Sequence, residues 1–302
     1  MKKTRMSRQG GQRKSVVTVT YRNMKYAFYK GCLIPYRIHY YESSARKILT
    51  DFGIELVDFD FGCCGSQILE SRNHDLWLAV AARNIALAEK YNLDILTLCG
   101  SCTSTLSRVK WLLENDRGKN DLVNGVLDRL GLEFKGTSKI VHILKLLVEE
   151  IGINKLKGFI KKELDLKAAF QHPCQVYRPE RQMNVSMGGV KELLAVFLPD
   201  VYEMDTCCGE SLIATDQDLC INILKQNLSS VKAEGSDIII TACGNCQMTY
   251  DVNQKSLKNK NEIKRTVPSL LISQALGIAM GYGYSEVGLS QNLIKVDPDI
   301  FI

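Results

Sequence analysis

The feature that most constrains this chain is a pattern of cysteines that occurs twice. Cys32, Cys63-Cys64-Gly65 and Cys99-Gly100-Ser101-Cys102 form the first copy. Cys174, Cys207-Cys208-Gly209 and Cys243-Gly244-Asn245-Cys246 form the second. Each copy is a lone cysteine, a vicinal pair closed by glycine, then a C-x-x-C. The lone cysteine precedes its pair by 31 positions in the first copy and 33 in the second, and 35 positions separate pair from C-x-x-C in both. Ten of the eleven cysteines fall into the two sets, which are offset by 142 to 144 residues. A chain of 302 residues can bury one large or two ordinary domains, and the offset predicts two similar halves.

Between the cysteines, β-rich runs alternate with amphipathic stretches. The first half predicts strands at 25–29, 54–59 and 94–98, and helices at 41–50, 74–91 and 103–113. Helices are also expected at 122–130, 140–151 and 155–164, with the junction between halves near 150–165. The second half repeats the order, with strands at 167–171, 201–204 and 237–241 and helices at 190–197 and 216–232. A last helix is expected to start at Pro268 and run through Ala279. This alternation predicts an α/β fold of two similar halves, each a small parallel sheet with flanking helices. The expected units are a basic disordered extension over 1–23, a first domain over 24–155, and a second over 156–302 ending in a helix. Every cysteine group then follows the C-terminal end of a strand, the edge where open α/β sheets hold ligands. Each C-x-x-C also opens a helix, whose first amides stabilise thiolate charge.

Charge excludes some functions. Of the net +6, eight basic side chains and no acid lie within residues 1–25, leaving 31 basic against 33 acidic groups in the body. A near-neutral body argues against nucleic acid as a partner. The basic segment lacks the apolar core of a secretory signal, and no run of 18 apolar residues occurs, so an integral membrane segment is not expected. The expected compartment is the cytoplasm, where cysteines serve as metal ligands or catalytic thiols rather than bridges.

Five thiols per set narrow the chemistry. Disulfides between neighbours such as Cys63 and Cys64 close a strained small ring. A tetrahedral zinc site takes four ligands, and adjacent cysteines fit one ion awkwardly; zinc in one half remains the alternative. An iron–sulfur cluster fits better, because a polynuclear centre spreads neighbouring thiolates over several irons. The usual cubane spacing, C-x₂-C-x₂-C-x₃-C, is absent. Gly65 and Gly209 either let the backbone pass close to the metal or simply make a turn. Cys220, outside both sets, reads as a core residue. His39, His74 and His142 read as structural or exposed. His172, two residues before Cys174, is the candidate catalytic proton donor, the other reading being a packing role.

These motifs resemble the CCG domain, and two complete copies in a chain of this size resemble the B-type subunit of heterodisulfide reductase. The likeness extends to Tyr26-Ala27-Phe28 before Gly31-Cys32, to the run from Leu78 to Ala88, and to the stretch from Cys246 to Gln254. The resemblance implies two noncubane [4Fe-4S] clusters flanking the place where the disulfide of coenzyme M and coenzyme B is reductively cleaved. Cys32, Cys63, Cys64, Cys99 and Cys102 would bind one cluster. Cys174, Cys207, Cys208, Cys243 and Cys246 would bind the other. With no Gly-rich dinucleotide fingerprint, P-loop or cubane motif, electrons must enter from partners. The resemblance implies two partners of heterodisulfide reductase type: a small ferredoxin-like C-type subunit with cubane clusters, and a flavin-containing A-type subunit. The chain departs from the family beside its ligands, at His172-Pro173-Cys174-Gln175 and at Gly65-Ser66-Gln67-Ile68. Those departures bear on the substrate. A related subunit of a sulfur-oxidation or lactate/glycolate-type complex, acting on another thiol or disulfide, is the alternative.

Overall fold

The computed structural model describes residues 24–177 and 185–301. The expected basic extension over 1–23 lies outside the described residues. Two four-stranded, all-parallel sheets form the frame. The first contains β1 (Met24–Tyr29), β2 (Ile54–Val57), β3 (Asp94–Thr97) and β4 (Ile140–His142) in the order β2-β1-β3-β4. The second contains β5 (Lys167–Gln171), β6 (Asp200–Met204), β7 (Ile238–Thr241) and β8 (Ser269–Leu271) in the order β6-β5-β7-β8. The order is the same in both, so the two halves are similar α/β units with flanking helices. The central strands are apolar on both faces: Ala27 to Tyr29, Ala168 to Phe170 and Ile238 to Ile240 are all buried, as a covered parallel sheet requires.

Two expected helices begin differently. Residues 140–142 and 269–271 are the outer strands β4 and β8, and helix starts only at Ile143 and Ile272. Three-residue strands that run into a helix without a glycine or proline between them leave an apolar run that either period accommodates. The helix expected over 155–164 is only Ile153–Lys157, and Gly158 caps its end. Short helices at Leu33–Arg37 and Ser66–Arg72, one after each of the first two cysteine groups, were not expected.

The halves share their cores. One hydrophobic cluster unites Ile34, Ile38 and Ile48 with Phe170, Leu271 and Leu276, and a second unites Trp77, Leu106 and Cys99 with Leu224, Cys243 and Tyr250. Helix His39–Asp51 crosses helix Ile272–Ala279 through small residues, with the Ser44 and Ser273 hydroxyls 2.7 Å apart. Among the described residues, no helix is long and apolar enough to cross a membrane.

Candidate metal centre

Three loops in each half leave the C-terminal edge of the sheet and carry the cysteines. Cys32 caps helix Leu33–Arg37 after β1, and Cys63-Cys64-Gly65 follows β2. Cys99, in extended conformation, caps helix Gly100–Asn115 after β3, which puts Cys102 in its first turn. The second half repeats this. Cys174 opens helix Cys174–Tyr177, Cys207-Cys208-Gly209 follows β6, and Cys243 caps helix Gly244–Gln247. Gly65 and Gly209 have φ of +86° and +83°, and a Cβ there would press on Leu69, Trp77 or Ile223 rather than on sulfur. They are turn glycines, required by the left-handed backbone. Close approach to a thiol occurs instead at Gly31, where a Cβ would lie 2.9 Å from the Cys102 Sγ.

All ten repeated cysteines join in one run of neighbouring sulfurs. Cys32 and Cys63 Sγ are 3.6 Å apart. Cys63 neighbours Cys64, Cys64 neighbours Cys102, and Cys102 neighbours Cys99. Cys99 Sγ then lies 3.8 Å from Cys243 Sγ, across the two halves. From there the order reverses: Cys243 to Cys246 to Cys208, then Cys207, whose Sγ is 3.9 Å from Cys174 Sγ. The palindrome reflects reciprocal packing. Gly100 sits against Pro173, Gln175 and Val176 of the second half, while Gly244 sits against Leu33, Ile34 and Ile38 of the first. Cys32, Cys63 and Cys207 are exposed and Cys174 is half-buried, whereas the six cysteines between them are buried. A cavity at the second set is lined by Pro173, Cys174, Ser211, Asn245 and the thiols of that set.

Sequence reasoning missed the residues that shape these loops. Asn84 donates to the Cys63 carbonyl at 3.1 Å and accepts from the Gly62 N–H at 2.8 Å. Asn227 donates to the Cys207 carbonyl at 2.9 Å and accepts from the Thr206 hydroxyl at 2.8 Å. Backbone N–H groups of Gly65 and Gly209 donate to the Cys63 and Cys207 sulfurs at 3.3 and 3.4 Å. Glu210, next to the second pair, accepts from Thr249 and Asn253 at 2.8 and 2.7 Å. Its burial pushes its carboxyl up to about 7, against the pull of those two donors.

The electrostatics describe a donor set in need of positive charge. Hydrogen bonding to Cys63 pushes the Cys32 thiol up, and bonding to Cys207 does the same to Cys174. Neighbouring cysteines also raise Cys102 and Cys246. Cys243 is held low by hydrogen bonds from Cys246 and Cys99. So many thiols in contact cannot all ionise by themselves, and bound cations would let them. Among the described residues, no three or more His, Cys, Asp or Glu side chains are gathered as ligands of a single ion. A donor set of contacting thiols suits a sulfur-ligated polynuclear group. Tyr41 and His142 are fully buried; among the described residues Tyr41 Oη has no partner, while His142 bonds the Ala242 backbone. An orphaned buried donor costs roughly 1–3 kcal/mol.

His172 does not join the sulfur run. It is buried, with Nδ1 3.0 Å from Tyr177 Oη and Nε2 3.0 Å from Glu203 Oε2, and Glu203 also pairs with Lys191 at 3.5 Å. Cys220 is buried on helix Gln217–Ala233, and burial pushes its thiol up to about 11, in keeping with a core role.

Comparison with known proteins agrees with this architecture. The family model described as a cysteine-rich domain, CCG, matches residues 26–107 and 168–251, one match per half. The B-type subunit of a ferredoxin/F(420)H(2)-dependent CoB-CoM heterodisulfide reductase from Methanosarcina acetivorans is 31% identical, over 90% of this chain and 94% of its own. An 8-methylmenaquinol:fumarate reductase membrane anchor subunit from Wolinella succinogenes is 29% identical over 89% of this chain and 97% of its own. A protein from Archaeoglobus profundus, described as like the B-type subunit of heterodisulfide reductase, is 30% identical over 87% and 93%. A hypothetical protein from Helicobacter pylori has the same fold, with TM-score 0.74 at 16% identity over 92% of this chain, which spans 53% of that one. The chain thus belongs to the CCG cysteine-rich family, as a two-copy member similar nearly end to end to the B-type subunit of heterodisulfide reductase.

Proposed function

We propose that this chain is the disulfide-cleaving subunit of a heterodisulfide reductase complex, acting on the CoM-S-S-CoB disulfide in the cytoplasm. The cofactors are two noncubane [4Fe-4S] clusters, one held by Cys32, Cys63, Cys64, Cys99 and Cys102, the other by Cys174, Cys207, Cys208, Cys243 and Cys246. Electrons come from a ferredoxin-like C-type subunit with cubane clusters, fed by a flavin-containing A-type subunit. The observation that carries this reading is the palindromic run of ten sulfurs, buried where the halves meet and opening to solvent at Cys32 and Cys63 on one side and at Cys207 on the other.

The overall reaction is RS–SR′ + 2 e⁻ + 2 H⁺ → RSH + R′SH. When bound, the clusters supply the one-electron capacity that a two-electron cleavage needs. The chain contributes the rest. The Gly65 and Gly209 amides hold negative charge on the exposed Cys63 and Cys207 sulfurs. Asn84 and Asn227 fix the carbonyls behind them. The Cys99–Cys243 contact keeps the two sets within one buried unit. His172 has both ring nitrogens engaged, so in this reading it fixes the turn leading to Cys174 through Glu203 and Tyr177.

A second reading has one specific support. The Wolinella protein, nearly as similar as the first relative, is named for fumarate reductase rather than for a disulfide. Under that reading the chain passes electrons within a related complex, on another thiol or disulfide. The test begins with protein purified without oxygen, assayed for iron, acid-labile sulfide and zinc. About eight iron and eight sulfide per chain are expected. Cys207→Ser should abolish CoM-S-S-CoB reduction by an artificial reductant. Full activity in that variant sinks the first reading, and zinc as the sole metal sinks both.

A further inference from the structure

The two cysteine sets share a spacing but not a support. Tyr250 stands four residues after Cys246, in a π-helical turn, Met248–Asn253, that continues the helix opened by Cys243. It is fully buried, and its hydroxyl donates to Gln171 Oε1 and accepts from Asn227 Nδ2 at 2.9 Å. Gln171 ends β5, also fully buried, and its Nε2 donates to the Thr206 carbonyl at 2.8 Å and the His172 carbonyl at 3.1 Å. Asn227 donates in turn to the Cys207 carbonyl. One buried network therefore joins all three segments of the second set: the turn before Cys174, the loop at Cys207, and the helix after Cys246. The same helix holds the vicinal pair from its other side, since Glu210, two residues past Cys208, accepts from Thr249 and Asn253.

The first half is built differently at the matching positions. Leu106, four residues after Cys102, replaces Tyr250, Val109 replaces Asn253, and Ser66 replaces Glu210. Neither Leu106 nor Val109 carries a donor. With no hydroxyl to meet at 106, the Asn84 amide donates to Val80 of its own helix at 3.1 Å. Tyr29, in register with Thr97 as Gln171 is with Thr241, reaches the Gly62 carbonyl at 2.8 Å and so ties β1 to the pair loop. The C-x-x-C helix meets the segment after the first pair through Arg108 and Glu70, 2.8 Å apart, with Arg108 46% exposed. A pair so open to solvent contributes little and is screened by salt. A network shut away from water instead holds a single geometry. The first set is also the more open, with Cys32 and Cys63 both exposed.

We propose that Tyr250, with Gln171 and Asn253, holds the ligand segments of the second set in their metal-bound arrangement, so that the second set keeps its centre after the first has lost its own. These are positioning residues, and the inference rests on the cluster reading above. Ligands already in place need no reordering when metal binds, and groups behind the ligands alter metal affinity by about 10–100-fold.

The test is a chelation time course on the anaerobically purified full chain. Iron is counted as it leaves, and freed thiols are alkylated with iodoacetamide and mapped by peptide mass spectrometry. In the wild type, Cys32, Cys63, Cys64, Cys99 and Cys102 should label about ten-fold faster than Cys174, Cys207, Cys208, Cys243 and Cys246. Tyr250→Phe keeps the ring and loses the hydroxyl. It should bring the second set forward toward the rate of the first, and leave the first unchanged. A merely structural loss of stability would speed both sets alike and overturn the inference. So would an iron-replete Tyr250→Phe that labels as the wild type does, or a wild type whose sets empty together or in reverse order. Should Tyr250→Phe fail to fold, Asn253→Ala, at a partly exposed position, decides. It removes one of the two donors to Glu210 and should advance the second set alone by a few fold; an unmoved second set overturns the inference. A wild-type chain without iron would instead remove the cluster reading and this inference with it.

Discussion

Asn84 and Asn227 stand 143 residues apart, within one position of the cysteine offsets, and do the same work. Each lies inside a helix, where asparagine is a mediocre former, and each spends its amide on the carbonyl of the first cysteine in a vicinal pair. Replacing Asn227 by leucine keeps the volume but strips the donor from the Cys207 carbonyl and the acceptor from Thr206. The expected cost is about 1–3 kcal/mol, read as a lower denaturant midpoint at unchanged slope. An unchanged midpoint would mean that water satisfies the loop. The gathering of the cysteines was legible, because so regular a spacing after successive strands has few other uses. The asparagines were also within reach, through the repeat offset, but a mid-helix Asn carries no chemistry of its own. The full burial of Tyr41 and His142 was not legible, since it depends on how the two halves dock.

At the scale of elements, periodicity located most strands and long helices and failed at β4 and β8. A three-residue strand is too short to show a period of two before helical spacing takes over. The cysteine edge was predictable nonetheless, because parallel strands in right-handed connection all end on the same side. The crossing of helices His39–Asp51 and Ile272–Ala279 was not. It depends on Ser44, Ser273 and Gly277, small residues that admit close backbones. A Cβ on Gly277 would lie 2.6 Å from Val287 Cγ1, and Val287 is fully buried with nowhere to yield. In an exposed helix, replacing glycine helps by a few tenths of a kcal/mol or more. Here overpacking should outweigh that gain, so Gly277→Val is expected to lower stability by about 1–3 kcal/mol in a denaturation series. A stabilised variant would show the crossing to be looser than this.

For the whole molecule, the repeat suggests two domains, while the packing makes one body. A domain in the strict sense owns its core. Here both hydrophobic clusters draw on both halves, Tyr40 bonds Asp251, and Ser44 meets Ser273. The sulfur run makes the same point chemically, since its centre is a contact between Cys99 of one half and Cys243 of the other. Cutting the chain after Lys157 therefore separates groups that have no other way to leave water. Residues 24–157 expressed alone should lack a cooperative unfolding transition, because the apolar faces of Ile34, Ile38 and Ile48 lose their covering. The same holds for 158–302, which loses the support beneath Gly244 and Cys243. Produced together, the fragments should reassociate, because the interface is apolar and reciprocal, and only the pair should retain iron after gel filtration. A single half that unfolds cooperatively and keeps its own share of iron would instead make each repeat a self-sufficient unit. The cross-half contact would then be a docking surface rather than a shared core.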